Sequence, residues 1–289
     1  MNRKLVGILC GLSAASIWGG MYVVSKAVLN IIPPFSLVSL RLILGALTLI
    51  IVLVMRGFPK VSREQVWQVL GVGLIGYGIS LSLQFLGTKL STAANGSLVT
   101  SATPAFVLIF AWMLLKEKIT TRRWIALLLA TLGVVAVIDP RSAQLNPKLF
   151  LGNLALIGAA VTWALYSVLV RKAAQNLDVL PLSLIAFLGG LPVVLPAGAW
   201  ELKAIGIGEI SPGVIGGVLF LGIISTALAM VLWNSAFAFV DASLAALTFF
   251  AQPIVGTFLG WLFLGETITP LFLLGGVLIG LGLIISSRE

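Results

Sequence analysis

Apolar runs of about twenty residues, separated by short polar links, follow one another from one end of the chain to the other. Ten can be placed, near residues 5–29, 35–55, 66–86, 93–115, 122–138, 149–171, 180–200, 213–239, 242–264 and 270–286. A bilayer's hydrocarbon core takes ~20 apolar residues per helix, so the pattern predicts an all-α integral membrane protein with ten transmembrane helices. The links carry the breakers: Pro33-Pro34, Gly57-Phe58-Pro59, Asp139-Pro140, Asn146-Pro147 and Ser211-Pro212. None is long or polar enough to be a soluble domain. The first run follows Arg3 and Lys4, but it outlasts the about 7–15 apolar residues of a signal peptide and no small-x-small cleavage site follows, so it reads as a retained helix.

The pattern is written twice. Residues 92–120, TAANGSLVTSATPAFVLIFAWMLLKEKIT, match residues 241–269, DASLAALTFFAQPIVGTFLGWLFLGETIT. Ala93, Leu98, Pro104, Trp112, Leu115, Glu117, Ile119 and Thr120 meet Ala242, Leu247, Pro253, Trp261, Leu264, Glu266, Ile268 and Thr269 at a constant offset of 149 (266 − 117). Trp18 and Lys26 recur as Trp163 and Arg171 at offset 145 (163 − 18). The chain therefore divides into two homologous halves, 1–140 and 141–289, of five helices each. Five is odd, so the second half enters the membrane from the opposite side. That makes an inverted repeat about a pseudo-twofold axis in the membrane plane, the plan of secondary transporters with a site near the midplane.

Composition adds the environment. Hydrophobic residues make up 60% and charged residues 9% of the chain, whose mean hydropathy is +1.15; soluble domains carry roughly 25% charge. Eighteen bases face nine acids, a balance that suggests nucleic acid in a soluble protein. Here the bases sit in short loops, which makes them a topology signal, and no nucleic-acid partner is expected. With a cytoplasmic N-terminus the inner links hold twelve bases (Arg3, Lys4, Arg56, Lys60, Arg63, Lys116, Lys118, Arg122, Arg123, Arg171, Lys172, Arg288) and the outer links five (Lys26, Lys89, Arg141, Lys148, Lys203). Both termini are expected in the cytoplasm. There is no histidine, and Cys10 has no intrachain partner. Without a Walker A sequence, a His-based metal motif or paired membrane aspartates, the chain reads as no enzyme, with no cofactor and no metal.

Polar residues inside spans mark candidate chemistry, because they are expensive there. Trp18, Tyr22 and Ser25 share one face of the first helix, and Tyr77, Ser80 and Gln84 one face of the third. The fourth adds Ser97, Thr100, Ser101 and Thr103, the sixth Trp163 and Tyr166, the eighth Trp233 and Asn234, and the ninth Thr248 and Gln252. They read either as a central cavity with aromatic walls or as hydrogen-bonding glue between packed helices. Pro104 and Pro253 kink their helices and free the carbonyls of Thr100 and Phe249. Arg41, two turns inside the second helix, is matched in the other half by Leu188; it neutralises a substrate carboxylate, pairs with carbonyls or snorkels outward. Glu117 and Glu266 close the fourth and ninth helices, Thr120 and Thr269 cap the helices after them, and Asp241 reads as an N-cap of the ninth. No Asp or Glu falls in the middle third of a span, which argues against a built-in proton relay.

Ten helices in two repeats, each ending its fourth helix in Trp…Glu-x-Ile-Thr, with Pro33-Pro34 and Arg41 in the second helix, resemble the drug/metabolite transporter superfamily, EamA type. Within it the chain looks most like YddG-type amino-acid exporters of bacterial inner membranes. The resemblance implies a basket-like bundle whose cavity is lined by helices 1, 3, 4, 6, 8 and 9, with helices 5 and 10 peripheral. The expected activity is export of neutral, aromatic and other small amino-acid metabolites by alternating access, as a uniporter or facilitator, from a monomer or weak homo-oligomer in the bacterial inner membrane. The alternative is a broad-specificity drug or cation exporter coupled to protons. Sugar phosphates would require several cavity bases and cation/proton antiport a midmembrane carboxylate; neither is present, whereas a zwitterion needs neutral donors, acceptors and aromatic walls.

Overall fold

Helix starts and stops fall where the link chemistry places them. Pro34 opens the second helix at its first turn, where a missing N–H costs nothing. Ser62 and Gln65 form a reciprocal capping box before the third (Ser62 Oγ accepts from the Gln65 amide at 3.2 Å, and Gln65 Oε1 from the Ser62 amide at 3.0 Å). Ser211 Oγ accepts from the Val214 amide at 3.3 Å, with Pro212 at the first turn of its helix. Gly57, at φ 87°, ends the second helix in a conformation that side chains avoid.

In the computed structural model the described residues are 3–91, 96–97, 99–100, 103–118, 120–138, 147–175, 177–264 and 270–287. Among them the regular structure is helical, with no strand, and its longer segments are numbered in chain order. These are α1 Arg3–Val28, α2 Pro34–Arg56, α3 Arg63–Leu90, α4 Thr103–Leu115, α5 Thr121–Ile138, α6 Pro147–Ala173, α7 Val179–Ala204, α8 Pro212–Phe239, α9 Ala242–Phe263 and α10 Pro270–Ser287. Seven (α1, α2, α3, α6, α7, α8 and α9) are long and apolar enough to cross a membrane. Large apolar side chains lie exposed along the outside, including Ile51, Met55, Leu128, Phe263 and Val277. An apolar surface this extensive requires lipid around it.

α1 packs on α8 and α9, and α6 on α3 and α4; α2 lies against α7 and α8, and α7 against α3; α5 and α10 pack chiefly on each other. Glycines permit the closest approaches. A Cβ on Gly73 of α3 would strike the backbone of Ala186 in α7, and one on Gly189 of α7 would strike the backbone of Leu70. Gly19 of α1 also lies close against the backbone of Gln252 and Gly256 of α9, though less tightly, whereas Gly71 and Gly280 face open space. α3 and α8 each widen into a π-helical stretch, Leu74–Ser80 and Phe220–Leu228, where amides reach five residues back. Such stretches are an irregularity that periodicity does not announce, and they collect at functional sites.

One expected cap is replaced. Asp241 occupies the N-cap position of α9 but makes no capping bond; it pairs instead with Arg123 at 3.1 Å and Arg171 at 3.7 Å. The amides of Ala242 and Ser243 donate to Glu117 at 2.9 and 3.3 Å, and the Ser243 hydroxyl adds a bond of 2.9 Å. Lys116, left-handed at φ 58°, ends α4 and turns Glu117 toward that helix end. Thr120 caps α5 through the Arg123 amide at 3.3 Å. Glu266 and Thr269 lie outside the described residues.

Candidate functional site

Near the centre of the bundle the helices leave a narrow cavity, with about 360 Å³ of space between atoms when its opening to solvent is included. Trp18 and Met21 of α1 and Ala159, Ala160 and Trp163 of α6 line it. Ser80, Leu81 and Gln84 of α3 meet Met230 of α8 and Phe249 and Gln252 of α9. Thr100 and Thr103, at the start of α4, and Arg41 of α2 complete the wall. Arg41 adds a seventh helix to the six expected around the cavity.

The wall is aromatic on one side. Trp18 and Trp163 meet edge to face with ring centres 5.6 Å apart, and Trp18 also touches Trp233 at 5.3 Å and Phe249 at 5.9 Å. Such pairs contribute ~0.5–1.5 kcal/mol each beyond area burial and hold the rings in one arrangement. The Trp18 indole N–H donates to the Ser225 carbonyl at 3.0 Å.

A polar cluster borders the same cavity. Gln84 Nε2 donates to Tyr22 Oη at 2.6 Å, and Tyr22 Oη lies 2.8 Å from Thr100 Oγ1. Gln252 Nε2 donates to Thr100 Oγ1 and to the Ser97 carbonyl, both at 3.1 Å. Two buried atoms of the cavity lining have no hydrogen-bond partner among the described residues, Trp163 Nε1 and Gln252 Oε1.

Arg41 is fully buried. Its Nε donates to Thr226 Oγ1 at 2.8 Å, Nη1 to Met21 Sδ at 3.4 Å, and Nη2 to the carbonyl and hydroxyl of Ser225 at 3.4 and 3.3 Å. Its Cζ stands 4.9 Å over the Phe85 ring. An arginine at the centre of a membrane helix costs ~2.5–3.5 kcal/mol on insertion scales. Neutral hydrogen bonds at about 1 kcal/mol each, with a ring face at about 1–2, roughly balance that. The side chain is thus held in place, but its charge meets no carboxylate among the described residues.

Of the residues singled out from sequence, Trp18, Ser80, Gln84, Trp163, Gln252 and Arg41 line the cavity, and Tyr22 sits directly behind Gln84 and Thr100. Tyr77, Tyr166, Trp233 and Asn234 do not line it; they are buried behind it as a second layer. Tyr77 and Tyr166 share a 2.6 Å bond, Tyr166 donates to Asn234 Oδ1 at 2.9 Å, and Asn234 Nδ2 donates to Ser183 Oγ at 2.8 Å. The Trp233 N–H donates to Ser167 at 3.0 Å. Here the interhelical-glue reading is the one observed. Thr248 is likewise turned from the cavity: its hydroxyl bonds the Ala245 carbonyl at 2.6 Å in the face that meets Gly11 of α1. Ser97 contributes its carbonyl to Gln252, and Ser101 lies outside the described residues.

Pro104 and Pro253 are buried. The Thr100 carbonyl that Pro104 frees accepts the Thr103 hydroxyl at 2.6 Å, and ahead of Pro253 the helix tightens to a 3₁₀ turn at Thr248–Phe250. Met21, Leu81, Ala159, Ala160 and Met230 escaped the sequence reading, because one apolar residue among many carries no signal of which face it lines.

A family model described as the EamA-like transporter family matches residues 5–138 and again residues 150–288. The chain is 25% identical over 289 residues to the uncharacterized transporter YoaV of Bacillus subtilis, covering 99% of this chain and 97% of that one. It is 27% identical over 271 residues to the uncharacterized transporter YetK of the same organism, covering 91% and 82%. A solved crystal structure superposes with a TM-score of 0.79 at 21% identity over 98% of both chains, a likeness of fold.

Proposed function

Because the chain belongs to the EamA-like transporter family, as a multi-pass membrane transporter of a small molecule, we propose that it exports amino acids from the cytoplasm by alternating access between two inverted repeats. In this reading residues 1–140 and 141–289 each supply five spans, both termini lie in the cytoplasm and the membrane is a bacterial inner membrane. The chain works as a monomer or weak homo-oligomer and as a uniporter.

The observation that carries the reading is the cavity. It is lined by α1, α3 and α4 of one half and by α6, α8 and α9 of the other, the same three positions of the repeat. Packing pairs off in the same way: α1 on α8 answers α6 on α3, and α1 on α9 answers α6 on α4. The repeat extends to single bonds. Lys26 Nζ donates to the Thr88 carbonyl at 3.1 Å, and Arg171 Nη1 donates to the Phe237 carbonyl at 3.0 Å; Lys26 and Arg171 correspond at offset 145, Thr88 and Phe237 at offset 149. A site enclosed between two such halves is the arrangement that rocking one half against the other opens alternately to either side.

The lining supports this substrate class: aromatic faces, neutral hydroxyls and amides, and one cation. No acid is among the described lining residues, which disfavours the proton-coupled drug or cation exporter. The test is counterflow of labelled amino acids into proteoliposomes, with and without a pH gradient. Uptake above empty vesicles that ignores the gradient is expected. Uptake of organic cations driven by the gradient, with none of amino acids, would replace this reading by the alternative.

A further inference from the structure

The cavity lining holds one charge without an acidic partner and two polar atoms without a hydrogen bond among the described residues, and their chemistry is complementary to one kind of ligand. Arg41 carries a positive charge that no acidic side chain neutralises among the described residues, and neutral oxygens, a sulfur and a ring face are its only partners. Trp163 is 7% exposed, and its indole N–H, which can only donate, has no acceptor among the described residues. Gln252 is 1% exposed and its amide orientation is determined: Nε2 must face the Ser97 carbonyl, which cannot donate, so Oε1 is the atom left without a donor. Buried polar atoms are nearly always satisfied, so orphans on a cavity wall point to a ligand.

We infer that these groups recognise the charged head of an α-amino acid, with Arg41 and the Trp163 N–H taking the carboxylate and Gln252 Oε1 the ammonium, the side chain resting on the Trp18–Phe249 face. The inference deepens the transport reading above and rests on it. A carboxylate turns the buried cation into a charge-assisted pair, the strong class of hydrogen bond, and gives the orphan donor an acceptor. An ammonium donates to the orphan oxygen. The assignment also has a direction. The six helices around the cavity correspond in pairs under the repeat, whereas Arg41 is matched by Leu188, so the carboxylate end of the ligand belongs to the α2 side. Specificity then rests on the common head of the amino acid, and side-chain choice on the aromatic wall.

The test is binding to the purified full-length protein in lipid nanodiscs, read as thermal stabilisation and titrated to an affinity, for a panel of amino acids of differing side chains. Each amino acid is compared with its decarboxylated amine, its methyl ester and its deaminated acid. Binding of amino acids is expected, with the amine and the ester weaker by about 10-fold or more, because a hydrogen-bonded charge is lost. Arg41→Gln should abolish the preference of the amino acid over its amine. Trp163→Phe keeps an aromatic ring at this position, smaller than the indole, and removes an N–H that bonds nothing among the described residues; it should weaken carboxylate-bearing ligands about 3–10-fold and leave amines unchanged. Gln252→Leu should weaken amino acids relative to deaminated acids. Amines and esters that bind as tightly as their amino acids, or an unchanged ligand order in Trp163→Phe, would overturn the assignment even where amino acids are transported. No binding by any amino acid would overturn it outright. Binding with the expected order but no counterflow would leave the assignment standing and remove the transport reading.

Discussion

Tyr77 Oη and Tyr166 Oη lie 2.6 Å apart, one from α3 and one from α6, and the direction of the bond between them is set elsewhere. Asn234 Nδ2 faces Ser183 Oγ, which already donates to the Val179 carbonyl, so Asn234 presents Oδ1 to Tyr166. Tyr166 must therefore donate to Asn234, and Tyr77 must donate to Tyr166. Removing the Tyr166 hydroxyl strands both a donor and an acceptor, and removing that of Tyr77 strands only a lone pair. Each stranded buried group costs about 1–3 kcal/mol. Tyr166→Phe should lower the Tm in detergent more than Tyr77→Phe, and the double variant should cost less than the two singles together.

The α3–α7 contact should be intolerant of a single methyl group. Gly73→Ala and Gly189→Ala would drive a Cβ into the backbone of the facing helix, which cannot move aside as a side chain can; upward of ~3 kcal/mol is expected. Gly71→Ala, with nothing within 4 Å, should be neutral or stabilising by up to ~1 kcal/mol through helix propensity. The monodisperse fraction after purification, with the Tm of what survives, separates the two outcomes.

At the start of α9 the more distant acid should matter more. Glu117 holds two amides and a hydroxyl, whereas Asp241, half-exposed, makes ion pairs of the kind that contribute ~0–1 kcal/mol. Glu117→Ala is expected to cost about 1–2 kcal/mol, and Asp241→Ala less. Equal losses in thermal unfolding would refute the exchange of capping roles.

The proposed orientation places the ends of α1 and α6 on opposite faces of the membrane. Asn30 and Gln175, exposed just beyond them, serve as reporters in a Cys10→Ser background. A membrane-impermeant maleimide should label Asn30→Cys in intact cells and Gln175→Cys only after permeabilisation. The reverse pattern would invert the topology.

The sequence by itself determined the solvent and the repetition. A chain that is 60% apolar in runs near membrane length has nowhere to go but lipid, and backbone satisfaction in lipid leaves helices. The pairing of Lys26 with Arg171 and of Pro104 with Pro253 is written in the residues, because homologous halves carry homologous marks. Most of the cavity wall was legible for the same reason: a polar side chain in an apolar helix has to face something.

What that something is was decided only by tertiary structure. Gln84 and Tyr77 share one face of α3, yet Gln84 reaches the cavity and Tyr77 is claimed by Tyr166 behind it. The position of a neighbour separates a cavity-lining residue from a packing one, and spacing does not encode it. Asp241 has the sequence position of a cap and Glu117 performs the capping, because a left-handed turn at Lys116 brings a carboxylate from over a hundred residues away. Whether a buried group keeps an orphan atom, as Trp163 and Gln252 do, depends on every acceptor and donor within about 3 Å, a quantity that exists only once the helices have packed.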